Sequence, residues 1–340
     1  MKPFLNINLR VTIADNIKFN VVESIRIENS TEKFTDTAKI VLPREFKQAV
    51  KNGDRFSIAD KKLLDVIKIG DSIRIEAGYN GEYHTEFVGY ITKIGAEAPI
   101  EIECEDEMYK LKKAQPIKKL YSAVDLKVLL RDIAPGYEIE TFKEMPLGKF
   151  AVNNVTPYKV IEYLKQNYGV RCFFKGKKLI AGLNISLKPD KVHEFNLNRN
   201  VRAGSSLVYE TKENRKRWIK AISKQKGNSK EVTYEFGEQG ESEITLHGPI
   251  NLNQAQLKKW AEDYYKSLVY DGYSGDFNSW GIPRTKAGDS AKITDPNYPD
   301  KHRDGIFYIS SVVIDISESE GFQRKNTITF KIKDKDYADI

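Results

Sequence analysis

GDSIRIEAGYNGEYHTEFVGYITKI, residues 70–94, carries the clearest pattern in the sequence. Apolar and polar residues alternate along it on both sides of Asn80 and Gly81. Alternation with a period of two is typical of half-buried strands, and Asn-Gly between two such runs favours a tight hairpin turn. The stretch therefore predicts two antiparallel strands that begin after a Gly-Asp turn.

A second copy of this pattern lies near the other end of the chain. Residues 288–293 (GDSAKI) parallel residues 70–75 (GDSIRI), and residues 305–312 (GIFYISSV) parallel residues 87–94 (FVGYITKI). A Gly-Asp turn before a strand is common in β proteins and means little alone. Two matches in the same order are more informative, because they indicate an internal repeat.

The spacing within the two copies also agrees. Ile91 follows Gly70 by 21 residues, and Ile309 follows Gly288 by 21 residues. A third strand is expected to close each copy, at residues 100–106 and 328–334. Four residues define the two turns and are predicted to be structural: Gly70, Asp71, Gly288 and Asp289.

The repeat extends towards the N-terminal side of each copy. Residues 24–28 and 206–210 open the two copies, and an apolar strand ends 16 residues after the start of each, near Ile40 and Ile222. Coincidental β patterning is the alternative, but four matches in order with two equal spacings favour duplication. We expect two barrel- or sandwich-like domains, which close or cover their sheet edges.

Between the two copies the pattern changes to that of a small α/β domain. Ser122 could cap a helix that ends near Ala134, and a second helix follows Pro157 and stops at Gly169. A helix opened by Asn251 or Asn253 predicts an insertion in the second copy, and a short helix is expected at residues 43–50. The predicted divisions are a first β-barrel domain at 1–110, an α/β inserted domain at 111–200, and a second β-barrel domain at 201–340 with a helical insertion at about 242–275.

Composition indicates a folded, mixed-charge protein without membrane insertion. The 340 residues are 40% hydrophobic and carry a net charge of +7. No stretch of 18 apolar residues occurs, and the N-terminus has no apolar segment of the secretory type. We therefore expect synthesis in the cytoplasm without a signal peptide. The basic excess permits an anionic partner such as nucleic acid, although a solvated mixed-charge surface is the simpler interpretation.

Catalytic and metal-binding patterns are missing from the sequence. Neither nucleophile-elbow nor phosphate-loop spacing occurs, and the two cysteines have no metal-ligand spacing. Glu101, Glu103 and Glu105 alternate along one strand and should share a solvated face. Aspartates in residues 295–304 could bind calcium, but their spacing differs from that of an EF-hand. We predict no catalytic residue, metal or cofactor, and no enzyme.

Duplication has a consequence for symmetry. A trimer of a chain with two similar domains would present six similar units around one axis. Such a ring could meet a six-fold partner on one side and a three-fold partner on the other, which makes a symmetry adaptor physically sensible.

Residues 69–111 also resemble a known family. They contain, in order, the Gly-Asp turn, a Gly-Tyr hairpin, an F-x-G-x-I-T strand that starts at Phe87, and an acidic D-x-x-x-x-L ending from Asp106 to Leu111. This order resembles the baseplate hub proteins of contractile phage tails, the late control protein D family and the N-terminal hub part of VgrG spike proteins. Residues 160–183 are similar to the helix and hairpin of that family.

The resemblance implies a structural role in the baseplate of a phage tail or injection particle. It implies two duplicated tail-tube-like β-barrels and a homotrimeric ring of pseudo-six-fold symmetry. That ring joins the hexameric tail tube to the trimeric central spike, contacts other baseplate proteins, and could let DNA or cargo pass through its lumen. VgrG proteins continue into a spike beyond the position of Ile332, so a separate spike protein is expected here.

One basic run is a candidate contact in this setting. Residues 212–220 read KENRKRWIK and hold the densest basic cluster. Contact with a neighbouring subunit or the tail tube is favoured over contact with DNA, and the residues concerned are Lys212, Arg215, Lys216 and Arg217. A carbohydrate- or cell-wall-binding β protein of a tail tip is the alternative function.

Overall fold

The computed structural model describes residues 6–42, 49–51, 54–56, 67–96, 99–141, 144–183, 191–225, 230–237 and 243–332. Most of these residues lie in strands, and the helices are few, as the alternating patterns predict. None of the described helices is long and apolar enough to cross a membrane.

In the part of the chain that the structure describes, the first unit has nine strands. They are β1 (Ile7–Ile13), β2 (Ile17–Phe19), β3 (Ser24–Ser30), β4 (Thr37–Leu42), β5 (Ala49–Lys51), β6 (Asp54–Phe56), β7 (Ser72–Tyr79), β8 (His84–Ile94) and β9 (Ile100–Glu105). Their order in the sheet is β3-β4-β9-β8-β7-β1-β2-β5-β6. The predicted hairpin between β7 and β8 is confirmed, and Asn80 and Gly81 both have the positive φ that its turn requires.

The α/β segment follows with two small sheets and three helices. Its elements are α1 (Met108–Lys113), β10 (Ile117–Asp125), α2 (Leu126–Ile133), β11 (Glu138–Thr141), β12 (Pro146–Val155), α3 (Pro157–Tyr168), β13 (Arg171–Lys175) and β14 (Lys178–Gly182). The start predicted for α2 at Ser122 is wrong, because β10 continues to Asp125 through its pairing with β12. Asp125 caps α2 instead, by accepting a hydrogen bond from the Lys127 amide.

The remaining elements form the second unit and a small inserted sheet. They are β15 (Val192–Asn196), β16 (Val201–Arg202), β17 (Val208–Glu210), β18 (Trp218–Lys224), β19 (Glu231–Gly237), β20 (Glu243–His247), α4 (Gln254–Leu268), β21 (Gly272–Trp280), β22 (Ser290–Thr294), β23 (Gly305–Ser317) and β24 (Gly321–Lys331). We call β15–β17 with β21–β24 the second unit. Asn253 caps α4 with a capping box, which confirms the second of the two predicted starts.

The two Gly-Asp turns make the same hydrogen bonds. In the first unit the Gly70 amide donates to the Ile91 carbonyl at 2.8 Å, and the Ile91 amide donates to the Asp71 carbonyl at 3.0 Å. In the second unit the Gly288 amide donates to the Ile309 carbonyl, and the Ile309 amide to the Asp289 carbonyl, both at 2.9 Å. Both glycines have a positive φ, near 93° and 98°, which favours glycine at this place.

The aspartates of the turns also have the same role. Each carboxylate accepts a hydrogen bond from the amide three residues before it, Lys68 to Asp71 at 2.8 Å and Lys286 to Asp289 at 2.9 Å. The following strands keep the register, since Ser72 lies opposite Tyr90 and Ser290 opposite Tyr308. The matched spacing in the sequence therefore reflects matched backbone geometry.

One predicted equivalence is wrong. The strand that contains Ile222, β18, pairs with β19 and β20 in a separate sheet against α4, and not with the strands of the second unit. Strand β21 pairs with β24 in the same way that β4 pairs with β9, so β21 is the counterpart of β4. The inserted sheet and helix therefore lie together between β17 and β21. The helix predicted at residues 43–50 falls largely outside the described residues, and Ala49 and Val50 lie in β5.

The two units share one hydrophobic core. It contains Ile27, Ile40 and Ile75 from the first unit together with Phe277 and Ile314 from the second. The α/β segment has its own core of aliphatic and aromatic side chains. The units are therefore packed as one body, with the α/β segment beside them.

Candidate functional site

Within the described residues, the two units are joined by a pair of strands that we call the seam. The C-terminal half of β23 pairs antiparallel with β3, from Ser311 opposite Ser30 to Ser317 opposite Ser24. Across the seam, Arg26 Nη1 donates to the Asp315 carboxylate at 3.1 Å. The seam covers the outer edge of β3, so that one continuous sheet runs through both units.

A buried ion cluster makes a second contact between the units. Glu86, on β8, accepts hydrogen bonds at Oε1 from Arg324 Nη2 at 2.8 Å and Arg284 Nε at 3.1 Å. Arg324 is fully buried, and it also donates to the carbonyl oxygens of Gly281 at 2.9 Å and Thr285 at 3.2 Å. The charge of Arg324 is therefore compensated by a carboxylate from the other unit.

A cavity of about 160 Å³ lies beside this cluster, between the two units. Tyr79 stacks on Phe322 along its wall, with ring centroids 5.5 Å apart. The Tyr79 hydroxyl donates to the Phe322 carbonyl and accepts from the Gly281 amide, both at 3.2 Å. These contacts hold the wall of the cavity in place from both units.

Two aspartates meet where the first unit contacts the turn of the second. The Asp36 carboxylate accepts from the Ser30 amide at 3.0 Å and from the Asn29 side chain. Asp106 is buried, and its carboxylate accepts from the Met108 amide at 3.0 Å. Burial raises the pKa of Asp36 to about 6, and burial together with the neighbouring Asp36 charge raises the pKa of Asp106 well above its usual range.

This pair predicts that stability falls as the pH rises. The folded state keeps protons that the unfolded chain loses near pH 4, so the stabilisation is complete below that pH. The part that comes from Asp36 is lost as the pH rises through about 6, and the part that comes from Asp106 is lost as the pH rises through its own raised pKa. Asp106→Asn removes one titrating carboxyl, and its amide oxygen can still accept from the Met108 amide. We expect this variant to be more stable than the wild type at pH 8, by about 1–2 kcal/mol.

Urea unfolding at pH 5 and pH 8 checks this expectation. The matched control is Asp263→Asn, an exposed aspartate on α4 whose partner is Lys266. Equal pH slopes for the wild type and Asp106→Asn would show that the pair does not control the pH dependence.

The basic run is less exposed than the sequence suggested. Arg215 is buried, donates to the Gly272 carbonyl at 2.9 Å, and lies over the ring of Tyr270 at 4.2 Å. It serves the interior and is not available to a partner. Lys212 lies exposed beside Asp271, whereas Lys216 and Arg217 are half-buried.

The acidic groups considered for catalysis or calcium lie in structural contacts. Each glutamate of the acidic strand pairs with a lysine, in the pairs Lys39–Glu101, Lys93–Glu103 and Lys112–Glu105. Asp295 accepts from the Tyr273 hydroxyl at 2.5 Å, and its amide donates to Asp304 at 3.0 Å. Among the described residues, no group of three or more His, Cys, Asp and Glu side chains is arranged to hold a metal ion.

Sequence reasoning missed the buried ion cluster, although a signal for it exists. In β24 the inward positions are Phe322, Arg324, Asn326 and Ile328. A charged residue at an inward position of an alternating strand indicates a buried partner. The partner itself, Glu86, could not be identified, because it lies in the other unit.

Comparisons with known proteins agree with this architecture. The sequence matches no protein-family model, and no curated protein matches it. The fold is similar to the tail protein from Neisseria meningitidis MC58, with a TM-score of 0.63, 12% identity and 97% of each chain covered. It is also similar to the 43 kDa tail protein of prophage MuSo2 from Shewanella oneidensis, with a TM-score of 0.62, 13% identity, and 95% of this chain and 98% of that chain covered.

A third similar structure comes from a secretion system. The E. coli c3393 protein is described as a component of the type VI secretion system with structural similarity to bacteriophage T4 tail proteins. Its TM-score is 0.57 at 9% identity, with 97% of this chain and 78% of that chain covered. The chain therefore has the fold of phage tail proteins and of a type VI secretion component, as the resemblance in its sequence implies.

Proposed function

We propose that the chain is the structural, non-enzymatic hub of a phage-type baseplate, and that it acts as a homotrimeric ring. The ring adapts a hexameric tail tube to the three-fold symmetry of a spike protein. The shared fold supports a place in a tail or injection particle, beside other baseplate proteins. The seam is the observation that carries the trimer, because the second unit has an edge that corresponds to the one the seam covers.

The second unit has an uncovered strand edge. Its strands β17, β21 and β24 pair in the same order as β3, β4 and β9 of the first unit, so β17 corresponds to β3. The outer edge of β3 is covered by β23. Within the described residues, the corresponding edge of β17 has no strand beside it. Val208, on this strand, is 55% exposed, so the free edge presents an apolar side chain to solvent.

A strand of a neighbouring chain could cover this edge. Strand β8 corresponds to β23, because Ile91 and Ile309 hold the same place after their turns. It lies in the same chain as β17 but in the other unit, so a neighbouring chain would supply it. We infer that β8 of one chain covers β17 of the next.

The residues that would face each other across this contact have compatible charges. Following the register of the seam, Gly95 of one chain faces Val208 of the next, and Lys93 faces Glu210. Lys93 is exposed and carries the charge opposite to that of Glu210. The contact would thus repeat the seam, where Arg26 and Asp315 also have opposite charges.

Ring closure follows from the number of units. Each chain contributes one internal seam and one uncovered edge, so three chains give six units with six contacts. The lumen of such a ring offers a path for DNA or other cargo. Lys212, Lys216 and Arg217 remain candidates for contact with a neighbouring subunit or the tail tube.

Val208→Lys is expected to convert the trimer to monomers. A lysine on a free strand edge opposes the addition of another strand, and Val208 has enough exposure for the change to leave the monomer folded. Light scattering after size exclusion should give about three times 38.9 kDa for the wild type and 38.9 kDa for the variant.

Val21→Lys is the matched control, since Val21 is 66% exposed and lies outside the inferred contact. This control should remain trimeric. A wild type that is monomeric at high concentration and binds cell-wall glycan would favour the carbohydrate-binding alternative. A trimeric Val208→Lys variant would show that another surface forms the ring.

A further inference from the structure

The α/β segment is more positively charged than the chain as a whole. Residues 108–182 contain 15 lysines and arginines and 6 aspartates and glutamates, which gives this segment +9. Because the chain as a whole carries +7, the remaining residues carry −2. The proposed ring does not require this asymmetry of charge.

A two-stranded ribbon, β10 with β12, presents part of this charge on an exposed face. Its inner face carries Tyr121, Val124, Leu147, Phe150 and Val152, which are buried in the core of the α/β segment. Its outer face carries Lys118, Leu120, Lys149 and Ala151, which are all exposed. We call these four residues the outer face of the ribbon. Within the described residues, neither strand of the ribbon pairs with any other strand.

Leu120 stands out on this face. It is 69% exposed, the highest value among the large apolar side chains described. It lies opposite Ala151, and Lys118 and Lys149 are each about 7 Å away, two positions along their strands. A single exposed leucine is ordinary, but here an apolar pair is flanked by two cations.

The lysines of the outer face are not held by ion pairs within the described parts of the chain. Several other lysines of the segment are, as in the pairs Lys119–Asp132, Lys159–Glu162, Lys177–Glu107 and Lys178–Glu140. Among the described residues, Lys118 and Lys149 have no carboxylate within ion-pairing distance. Their charges are therefore free to meet carboxylates from outside the chain.

We propose that the outer face of the ribbon is a docking surface for an acidic segment of a partner protein. The partner places an apolar side chain on Leu120 and Ala151, and its carboxylates meet Lys118 and Lys149. A strand whose facing positions run acidic, apolar, acidic has this chemistry, because side chains two positions apart lie on the same face of a strand. This surface lies in the α/β segment, whereas the trimer contact involves the two β units.

The test uses the full chain and a synthetic ten-residue peptide that repeats Glu-Thr-Val-Thr, so that glutamate and valine follow each other on one face of the strand and threonine lies on the other. Binding is followed by fluorescence anisotropy of the labelled peptide, at low salt and at 0.3 M salt. We expect Lys118→Glu/Lys149→Glu to weaken binding at least ~10-fold, and Leu120→Ser to weaken it by a smaller factor. Both changes lie on an exposed face, so circular dichroism and the melting temperature should match the wild type.

Lys18→Glu/Lys259→Glu is the control, because it makes the same change of net charge at exposed lysines elsewhere. This control should bind the peptide as the wild type does. An equal loss of binding in the control would assign the effect to diffuse charge and overturn the proposal.

Two further probes separate the other anionic partners. A 20-base-pair DNA duplex and phosphatidylserine vesicles are tested with the same variants. Tight binding of either probe that is lost in the ribbon variant, without peptide binding, would overturn the proposal in favour of nucleic acid or membrane. Peptide binding is measured on the chain in any oligomeric state. A chain that does not bind the peptide therefore says nothing against the trimer, and a chain that does not form trimers still gives a valid binding result.

Discussion

Arg324→Met is expected to lower the free energy of unfolding by about 3–5 kcal/mol. The substitution leaves Glu86 buried with Arg284 as its remaining cation, and it removes the donors to the carbonyls of Gly281 and Thr285. A buried carboxylate that loses a charged partner pays the cost of desolvation without the compensating hydrogen bond. Urea unfolding measured by intrinsic fluorescence gives the loss directly.

Arg26→Met is the matched control for this prediction. Arg26 also joins the two units, through Asp315, but its side chain is about half exposed. A solvent-exposed pair contributes at most about 1 kcal/mol, so the control should lose little stability. Equal losses for the two variants would mean that burial does not set the strength of the ion cluster.

Gly89→Ala is expected to cost about 3 kcal/mol or more. A Cβ atom at this position would lie 2.1 Å from the carbonyl oxygen of Glu105 and 2.8 Å from its carbonyl carbon. These are backbone atoms of β9, so relief requires β8 and β9 to move apart. Thermal and urea unfolding should both show the loss, together with a lower yield of folded protein.

Gly81→Ala separates this clash from the general cost of replacing glycine. Gly81 has a φ near 89°, but no atom lies within 4 Å of the added Cβ. Only the left-handed backbone is strained there, which costs about 1 kcal/mol. A Gly89→Ala variant as stable as Gly81→Ala would show that the two strands tolerate separation.

Local patterns in the sequence predicted the elements whose partners are nearby. The Asn-Gly hairpin, the cap at Asn253 and the helix stop at Gly169 depend on residues a few positions apart, and the structure shows all three. The repeat was visible for the same reason, since each Gly-Asp turn and its isoleucine belong to one short hairpin. Turns and helix caps of this kind are determined by residues that are neighbours in the sequence.

Predictions failed where distant packing decides the outcome. The strand with Ile222 has the apolar alternation of any half-buried strand, and its place in the inserted sheet depends on α4. Ser122 can cap a helix, but the pairing of β10 with β12 keeps it extended. Glu86 and Arg324 are 238 positions apart, and no local pattern connects them.

Basic patterns were overinterpreted in one place and missed in another. The run at 212–220 drew attention because its charges are consecutive, yet Arg215 serves the interior. Lys118 and Lys149 are separated in sequence and come together only through strand pairing. Charge density along the chain is therefore a weaker guide to a docking surface than charge on one face of a sheet.

The seam also sets the time during synthesis for which the edge of β3 lacks the strand that covers it. Arg26 and Asp315 are 289 positions apart, so β3 is made early and the strand that covers it, β23, is made late. At about 5–20 residues per second, the ribosome needs roughly 15–60 s to deliver that strand. Through this interval the nascent first unit carries a bare edge that can pair with other nascent chains. The first unit is therefore most open to wrong strand pairing during translation, before the second unit is complete.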